Sequence, residues 1–332
     1  MSSSINTNAQ ALTALQSLNA TNRQLSTAQS RISTGLRVSE ASDNAAYWSI
    51  ATTMRSDAMA LSTVQDSLGL GASKIDTAYT ALSKTIDTVN EIKSRLVAAT
   101  GGTAADKVKI DTEIKALQNQ LKAYADSATF SGTNMLSVDT TTGTAAAGTA
   151  DDLKIVAALN RKPDGTVSLS TIDIAVQDIK LFDAYASATG LNDGILDATR
   201  LASTGAREAT AAAPTGGAAV AAGDTYTVYT LSVAGFSDAQ ISGMITVLEA
   251  ATIEMTNAAT VLGTAKAQSN AQKTFTQSLM DSIDRGVGQL VDADMNKEST
   301  KLQALQVQQQ LGIQALSIAN GNAQSILSLF RQ

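Results

Sequence analysis

The residues that could hold a metal ion are concentrated near position 292. Asp292, Asp294 and Asn296 occupy alternate positions, as at the start of a calcium-binding loop. Such a loop also needs a glycine at its sixth position and a bidentate glutamate at its twelfth, where this chain has Lys297 and Gln303. We therefore interpret the run as the polar start of a helix, and predict no metal and no cofactor.

Other catalytic chemistry is restricted by residues that the chain lacks. None of the 332 residues is His or Cys, which excludes thiol nucleophiles, histidine-based proton transfer and the common zinc sites. Ser–Lys, two-carboxylate and carboxylate-metal enzymes stay open on composition alone. The aspartates of the middle region that could pair, Asp164, Asp173, Asp178 and Asp183, are better explained as turn and surface residues. We predict that the protein is not an enzyme.

Nucleic-acid and membrane binding find little support in the charge pattern. The net charge is −6, and no Lys/Arg cluster interleaves with aromatic residues. No apolar run reaches 18 residues, and the amphipathic ends carry almost no Lys, Arg, Trp or Phe. The glycine-rich run GLGASK at 69–74 lacks the strand and the further glycines of a phosphate loop, so we interpret it as close helix packing.

Long helices are the elements that position these residues. A strict heptad of apolar positions runs from Leu61 to Leu96, interrupted only by Thr85, and predicts a long helix with a supercoiled seam. After Gly101-Gly102 a second helix should fold back antiparallel, and a third is expected over 238–290. The intervening residues predict a hairpin around Pro163 and a strand over 225–233.

The predicted fold class is therefore mainly α. We expect long N- and C-terminal coiled-coil helices and an antiparallel helical bundle, with a small mixed α/β outer insertion. The expected divisions are an inner coiled-coil segment at 1–44, the two parts of a helical core at 45–132 and 238–288, a variable outer domain at 133–237, and a second inner segment at 289–332.

The two ends are periodic but almost free of charge. No charged residue lies between 302 and 330, and Arg23 is the only one before Ser30. Solvated helices normally carry a charged face, so we infer helices packed against copies of themselves. The heptad positions and neighbouring apolar residues that predict this assembly are Leu15, Leu18, Leu25, Ile32, Leu36, Val307, Leu311, Ala315, Ile318, Ile326, Leu327 and Phe330.

Residues 30–46 read SRISTGLRVSEASDNAA, in which an L-S/T-S/T-G-L-R type of run precedes a short D-N-A-A segment. This stretch resembles the N-terminal signature of bacterial flagellins. Four further stretches are similar to the family: INTNAQALTAL, SIATTMRSD, FSGTNML and ANGNAQSILSLFRQ. The resemblance covers about residues 1–136 and 240–332. The sequence around Tyr47 and Trp48 is similar to that of flagellins of rhizobia and related alphaproteobacteria.

The resemblance implies a secreted, extracellular subunit that polymerises into the bacterial flagellar filament for swimming motility. It implies export in an unfolded state by the flagellar type III system, with an export chaperone and an export gate as partners. Filament cap proteins, hook–filament junction proteins and other flagellins of a mixed filament are further implied partners. The alternative is that this chain is itself a hook–filament junction protein of the same superfamily.

Two local expectations follow from the resemblance. Residues 37–56 should connect two shells of the filament, with Arg37, Glu40, Asp43 and Arg55 in ion pairs within or between subunits, and with Tyr47 and Trp48 packed against a neighbouring chain. The run 91–95, Glu-Ile-Lys-Ser-Arg, departs from the family's receptor-contact pattern at its first and last positions. We therefore expect weak Toll-like receptor recognition.

Overall fold

The computed structural model describes residues 8–140, 149–162, 166–184, 194–208, 214–217, 219–221 and 223–329, with side chains as far as residue 321. It divides into two compact units. We call residues 1–60 with 279–332 the terminal unit, and residues 61–278 the central unit. Among the described residues, no helix is both long enough and apolar enough to cross a membrane.

Five long helices make up most of the described chain. They are α1 (Ala9–Thr34), α2 (Ala45–Ala99), α3 (Ala104–Ser127), α4 (Asp238–Val291) and α5 (Met295–Leu329). In the central unit the predicted heptad face of α2 is buried throughout, with Leu68, Leu82 and Leu96 fully inaccessible. The mainly α fold with long terminal helices is therefore confirmed.

The helices of the central unit pack antiparallel. Along α2 and α4, Gln65 donates to Gln277 at 2.7 Å, and Asp76 pairs with Lys266 at 2.6 Å. Helix α2 ends before Gly101, whose φ of +79° is unfavourable for other residues, and the chain folds back into α3 as predicted. Arg95 of α2 then reaches Glu113 of α3 at 3.2 Å.

The insertion between α3 and α4 is built from short strands and 3₁₀ turns in its described part. The strands are β1 (Thr129–Phe130), β2 (Thr133–Asn134), β3 (Ser137–Val138), β4 (Leu153–Arg161), β5 (Val167–Ile174), β6 (Phe182–Asp183), β7 (Arg200–Leu201) and β8 (Thr225–Tyr226). Strands β4 and β5 form the predicted antiparallel hairpin; residues 163–165 of its turn lie outside the description. The apolar side chains of the insertion join one hydrophobic core with α2, α3 and α4.

The strand predicted over 225–233 is wrong beyond its first two residues. A 3₁₀ turn follows at Val228–Thr230, and the backbone there bonds to side chains of α3 instead of a strand. The Gln118 amide donates to the carbonyls of Val228 and Leu231 at 3.1 and 2.9 Å, and Asp111 accepts from the Val233 amide at 3.0 Å. These bonds satisfy the backbone without a ladder.

Candidate assembly surface

In the terminal unit, helices α1 and α5 pair antiparallel along most of their lengths. At one end Asn8 donates to the Ala319 carbonyl at 2.9 Å, and at the other Arg31 pairs with Glu298 at 3.3 Å. Between these contacts Gln309 donates to Asn22 at 2.8 Å. The Asn8 side chain also caps α1, and Gly35 ends it at a φ of +72°.

The buried or half-buried side of each helix keeps a heptad step, which coincides with the predicted one at only some positions. On α1 it comprises Ala11, Ala14, Leu18, Thr21, Leu25, Ala28 and Ile32. On α5 it comprises Glu298, Leu302, Leu305, Gln309, Gly312, Leu316 and Ala319. Leu18, Leu25 and Ile32 lie in this seam, as does Ala319, the alternative to Ile318 in the heptad. Leu15, Leu311 and Ile318 do not face the partner helix, and their part in assembly with other copies stays a prediction.

Gly312 explains how the seam closes at its centre. A methyl group on Gly312 would lie 3.2 Å from the Leu18 Cδ1 atom, so the leucine packs against bare backbone there. Small residues, Ala11, Ala14, Ala28 and Ala319, occupy other seam positions. At these positions the two backbones can approach each other closely.

Several further large apolar residues of the terminal helices lie outside this seam. Leu12 and Leu15 of α1 are 63% and 45% exposed. On α5, Val307, Leu311 and Ile318 are 55%, 57% and 65% exposed, and at 100° per residue they lie on the side opposite α1. We call Leu12, Leu15, Val307, Leu311 and Ile318 the outer stripe.

The remaining residues that were predicted for assembly lie either just after α1 or in the last residues of the chain. Leu36 is half-buried beside the small core of Val38, Ala51, Val287 and Val291. Ile326 and Leu327 lie in α5, but their side chains are outside the description, as is the whole of Phe330.

The segment that follows α1 lies against the segment between α4 and α5. The Arg37 and Val38 amides both donate to the Val291 carbonyl, at 2.6 and 3.3 Å, and the Ala293 amide donates to the Gly35 carbonyl at 2.9 Å. Leu36 and Asp292 thereby form an isolated antiparallel bridge. The connector after α1 and the connector before α5 therefore hold each other by backbone bonds.

The charged connector residues do not form the ion pairs that were expected within the subunit. Arg37 donates to the Leu290 carbonyl at 2.8 Å, and its guanidinium lies 5.9 Å from the Tyr47 ring centroid. The Asp43 carboxylate accepts from the Ser39 amide, chiefly, and from the Glu40 amide, which lowers its pKa. This is the geometry of a turn closed by bonds from its backbone amides to the Asp43 side chain.

Glu40 and Arg55, the other two charged connector residues, do not pair with each other either. Glu40 accepts from the Ser42 hydroxyl at 3.1 Å, and Arg55 lies exposed on α2. Among the described residues none of the four charged connector residues has an oppositely charged side chain within 4.0 Å. Ion pairs between subunits stay a prediction.

The connector aromatics are exposed. Tyr47 and Trp48 are 41% and 39% accessible at the start of α2, with Ile50 at 49% beside them. Large apolar side chains grouped in this way on one subunit are typical of surfaces that meet another protein.

The acidic run near 292 begins a helix, as interpreted. The Asp294 carboxylate accepts from the amides of Asn296 and Lys297 at 3.0 and 3.2 Å, which caps α5. Within the described residues no group of three or more His, Cys, Asp or Glu side chains could hold a metal ion.

One of the four middle aspartates is not on the surface as expected. The Asp183 side chain is fully buried, paired with the equally buried Lys180, and accepts from the Thr140 hydroxyl at 2.8 Å. Asp173 lies exposed on β5 as expected, and Asp164 lies outside the description. Burial of Asp183 requires such a partner, because an unpaired buried carboxylate is strongly unfavourable.

Two family models and several characterised relatives match the chain. Residues 5–141 match the bacterial flagellin N-terminal helical region, and residues 245–330 match the C-terminal helical region. The chain is 47% identical to flagellin C of Rhizobium meliloti and 45% identical to a flagellin of Brucella melitensis, each over 99% of both chains. It is 38% identical to a flagellin A of Rhizobium meliloti, over 99% of this chain and 100% of the relative.

Paired terminal helices with small seam residues and an uncovered apolar side define a subunit of a helical assembly. The chain belongs to the bacterial flagellin family. It is accordingly a structural protein of the extracellular flagellar filament, which polymerises with copies of itself and serves motility.

Proposed function

We propose that the outer stripe is the surface by which each subunit joins its neighbours in the filament. The supporting observation is that its leucines, isoleucine and valine are about half exposed or more, on helices with almost no charge. Fully burying a Leu or Ile side chain contributes about 1.5–3 kcal/mol. From their exposed fractions, Leu311 and Ile318 would each contribute about 1–2 kcal/mol when covered.

A shallow groove beside the stripe provides space for a neighbour's side chains. It has a volume of about 640 Å³ and is lined mainly by small residues, Ala9, Thr13, Ala14 and Ser17 of α1 with Ala315, Ile318 and Ala319 of α5. Uncharged polar groups on this surface can hydrogen-bond to another helix without desolvating a charge. Each subunit would present stripe and groove to different neighbours, which generates an open helical polymer.

The connector would make a second contact. Trp48 and Tyr47 present aromatic surface next to Arg37, and aromatic and arginine side chains are enriched where proteins meet. In this proposal Trp48 packs against an adjacent subunit, and Leu36, Ile326, Leu327 and Phe330 also take part in the contact between subunits.

Export and assembly partners complete the proposal. The subunit would pass the type III channel unfolded, with an export chaperone and gate, and assemble under a cap onto the hook–filament junction, alone or with other flagellins. The chain's lack of Cys is compatible with this route, because no disulfide has to form on either side of it. The chain would have no catalytic role.

The experiment compares two leucines of α5. Leu311→Ser should leave the helical content of the free subunit unchanged, yet raise the concentration needed for seeded polymerisation roughly 5- to 30-fold, as 1–2 kcal/mol implies. Leu305, 4% exposed in the seam, is the matched residue: Leu305→Ser should also loosen the free subunit. Polymerisation of Leu311→Ser at the wild-type concentration would contradict the proposed surface.

Deletion of residues 302–332 tests the wider claim that the C-terminal helix is required. The truncated chain should fail to extend filament seeds, while the cooperative thermal unfolding of the central unit persists. Extension at the wild-type rate would refute assembly through α5.

A further inference from the structure

The buried faces of α2 and α4 repeat every seven residues. On α4 the buried positions between 248 and 265 alternate large and small side chains: Leu248, Ala251, Met255, Ala258, Leu262 and Ala265. A shift of α4 by one heptad would exchange leucine for methionine and alanine for alanine, and such volume-conserving exchanges are tolerated well in cores. The buried face of α2 is likewise a heptad, from Leu61 to Leu96. The apolar seam therefore does not by itself fix the axial position of α4.

The ion pairs between these two helices are too exposed to fix that position. Asp76 pairs with Lys266, and Lys93 pairs with Glu249, but the four side chains are 37–53% exposed. Exposed ion pairs contribute little to stability, because water screens the charges and long side chains lose freedom when they pair. The axial position of α4 needs another determinant.

Helix α3 carries polar residues on its buried face. Lys107, Asp111 and Gln118 occupy heptad positions there and are only 8%, 4% and 5% exposed. Buried polar groups are unfavourable unless they are hydrogen-bonded. All three bond to one segment, residues 228–238, which brings the chain from the insertion into α4 and which we call the return segment.

The bonds are spread along the whole return segment. Gln118 donates to the carbonyls of Val228 and Leu231, Asp111 accepts from the Ser232 hydroxyl and the Val233 amide, and Lys107 donates to the Phe236 carbonyl and the Asp238 carboxylate, all at 2.7–3.1 Å. Asp238 is the first residue of α4. Moving α4 along its axis would break these bonds and leave buried polar groups without these partners, which is strongly unfavourable.

We propose that Lys107, Asp111 and Gln118 are a register lock, which holds α4 at one axial position where the apolar seam permits shifts of one heptad. Such a shift would move α4 by about 10.5 Å. Buried polar residues have this role in coiled coils, where a single one can specify the register.

The register of α4 has a consequence at the far end of the helix. Helix α4 is continuous to Val291, whose carbonyl accepts from the Arg37 and Val38 amides. A shift of one heptad would carry Val291 about 10.5 Å along the helix axis, away from these partners, so a shifted subunit should fail to extend filament seeds. This consequence rests on the proposed assembly through the terminal helices, whereas the register lock itself does not.

Cross-linking measures the register directly, because the chain has no Cys of its own. Gln65 and Gln277 lie opposite each other in the native register, with side chains 2.7 Å apart. In the full-length protein, Gln65→Cys with Gln277→Cys therefore reports the native register. Gln65→Cys with Asn270→Cys or with Asp284→Cys reports a shift of one heptad in either direction. While the register lock is intact, a short bismaleimide should join only the native pair.

The lock variant combines Asp111→Ala with Gln118→Leu. The matched control is Glu254→Gln, because Glu254 joins α4 to Arg200 and Arg207 of the insertion and is the rival determinant of register. We expect the lock variant to retain its helical content, to lose part of the native cross-link and to gain a shifted one, while the control keeps the native cross-link alone. Persistence of the native cross-link in the lock variant, or its loss without a shifted cross-link, would overturn the register lock. An equal shift in the control would do the same.

Seeded polymerisation tests the consequence separately. Subunits cross-linked in the native register should extend filament seeds, and subunits cross-linked in a shifted register should not. Extension by shifted subunits at the native rate would contradict the proposed assembly through the terminal helices and leave the register lock standing.

Discussion

Two glycines in the middle of α2 should respond in opposite ways to the same substitution. Gly69 and Gly71 are two residues apart in one helix, but their surroundings differ. A methyl group on Gly69 would meet nothing within 4 Å, whereas one on Gly71 would lie 2.5 Å from the Ile155 Cγ2 atom. Ile155 belongs to β4 and is only 3% exposed, so it has little room to move.

The expected magnitudes follow from helix propensity and overpacking. Alanine is favoured over glycine by about 0.8–1 kcal/mol within a helix, so Gly69→Ala should stabilise the central unit by about that amount. Gly71→Ala gains the same propensity term but forces a methyl group into a packed core, which typically costs about 1–3 kcal/mol. Gly71→Ala should therefore be less stable than Gly69→Ala by about 1–3 kcal/mol.

Thermal unfolding of the free subunit by far-UV circular dichroism would measure this difference. For a unit of this size 1 kcal/mol shifts the Tm by about 2–4 °C, so the two variants should differ by roughly 2–12 °C. Adding Ile155→Ala removes the obstructing atoms, and Gly71→Ala should then become neutral or stabilising, a coupling that Gly69→Ala lacks. Equal Tm shifts for both glycine variants would refute the close approach of β4 to α2.

Three further expectations concern charge and assembly. Burial alone would raise the pKa of Glu254, but hydrogen bonds from Arg200 and Arg207 lower it to about 2. Because the pKa is lower in the folded than in the unfolded state, ionised Glu254 stabilises the fold. This stabilisation should be complete above about pH 4.5 and be lost as the pH falls towards 2. Glu254→Gln should abolish that acid dependence in urea titrations and destabilise the unit, because it leaves the buried Arg200 without its charged partner; an unchanged acid limb would contradict the assignment. Trp48→Ala should weaken filaments more than free subunit; equal losses of Tm would confine Trp48 to the subunit's own fold. Weak Toll-like receptor activation is expected in reporter cells, and a response equal to that of an enteric flagellin would be contrary evidence.

The central helices could be predicted from the sequence because a continuous heptad of apolar residues specifies which face of α2 is buried. Every heptad position from Leu61 to Leu96 is buried, and Gly71 of the GLGASK run is a packing residue, as interpreted, whereas Gly69 has open space around it. The insertion was harder to predict, because its backbone is held by individual side chains without a periodic pattern. Nothing in the composition of residues 225–233 shows that Gln118 and Asp111, more than 100 residues earlier, replace a strand partner.

The terminal helices carry large apolar residues on more than one side, which bears on function. On α5 Leu302, Leu305 and Leu316 lie in the seam, while Val307, Leu311 and Ile318 lie on the exposed side, so helical periodicity alone does not decide which side faces α1. This subunit pairs its terminal helices through one apolar side and leaves the other exposed. The hydrophobic gain thereby remains available for contact between copies, as a protein that is stable mainly as a polymer requires.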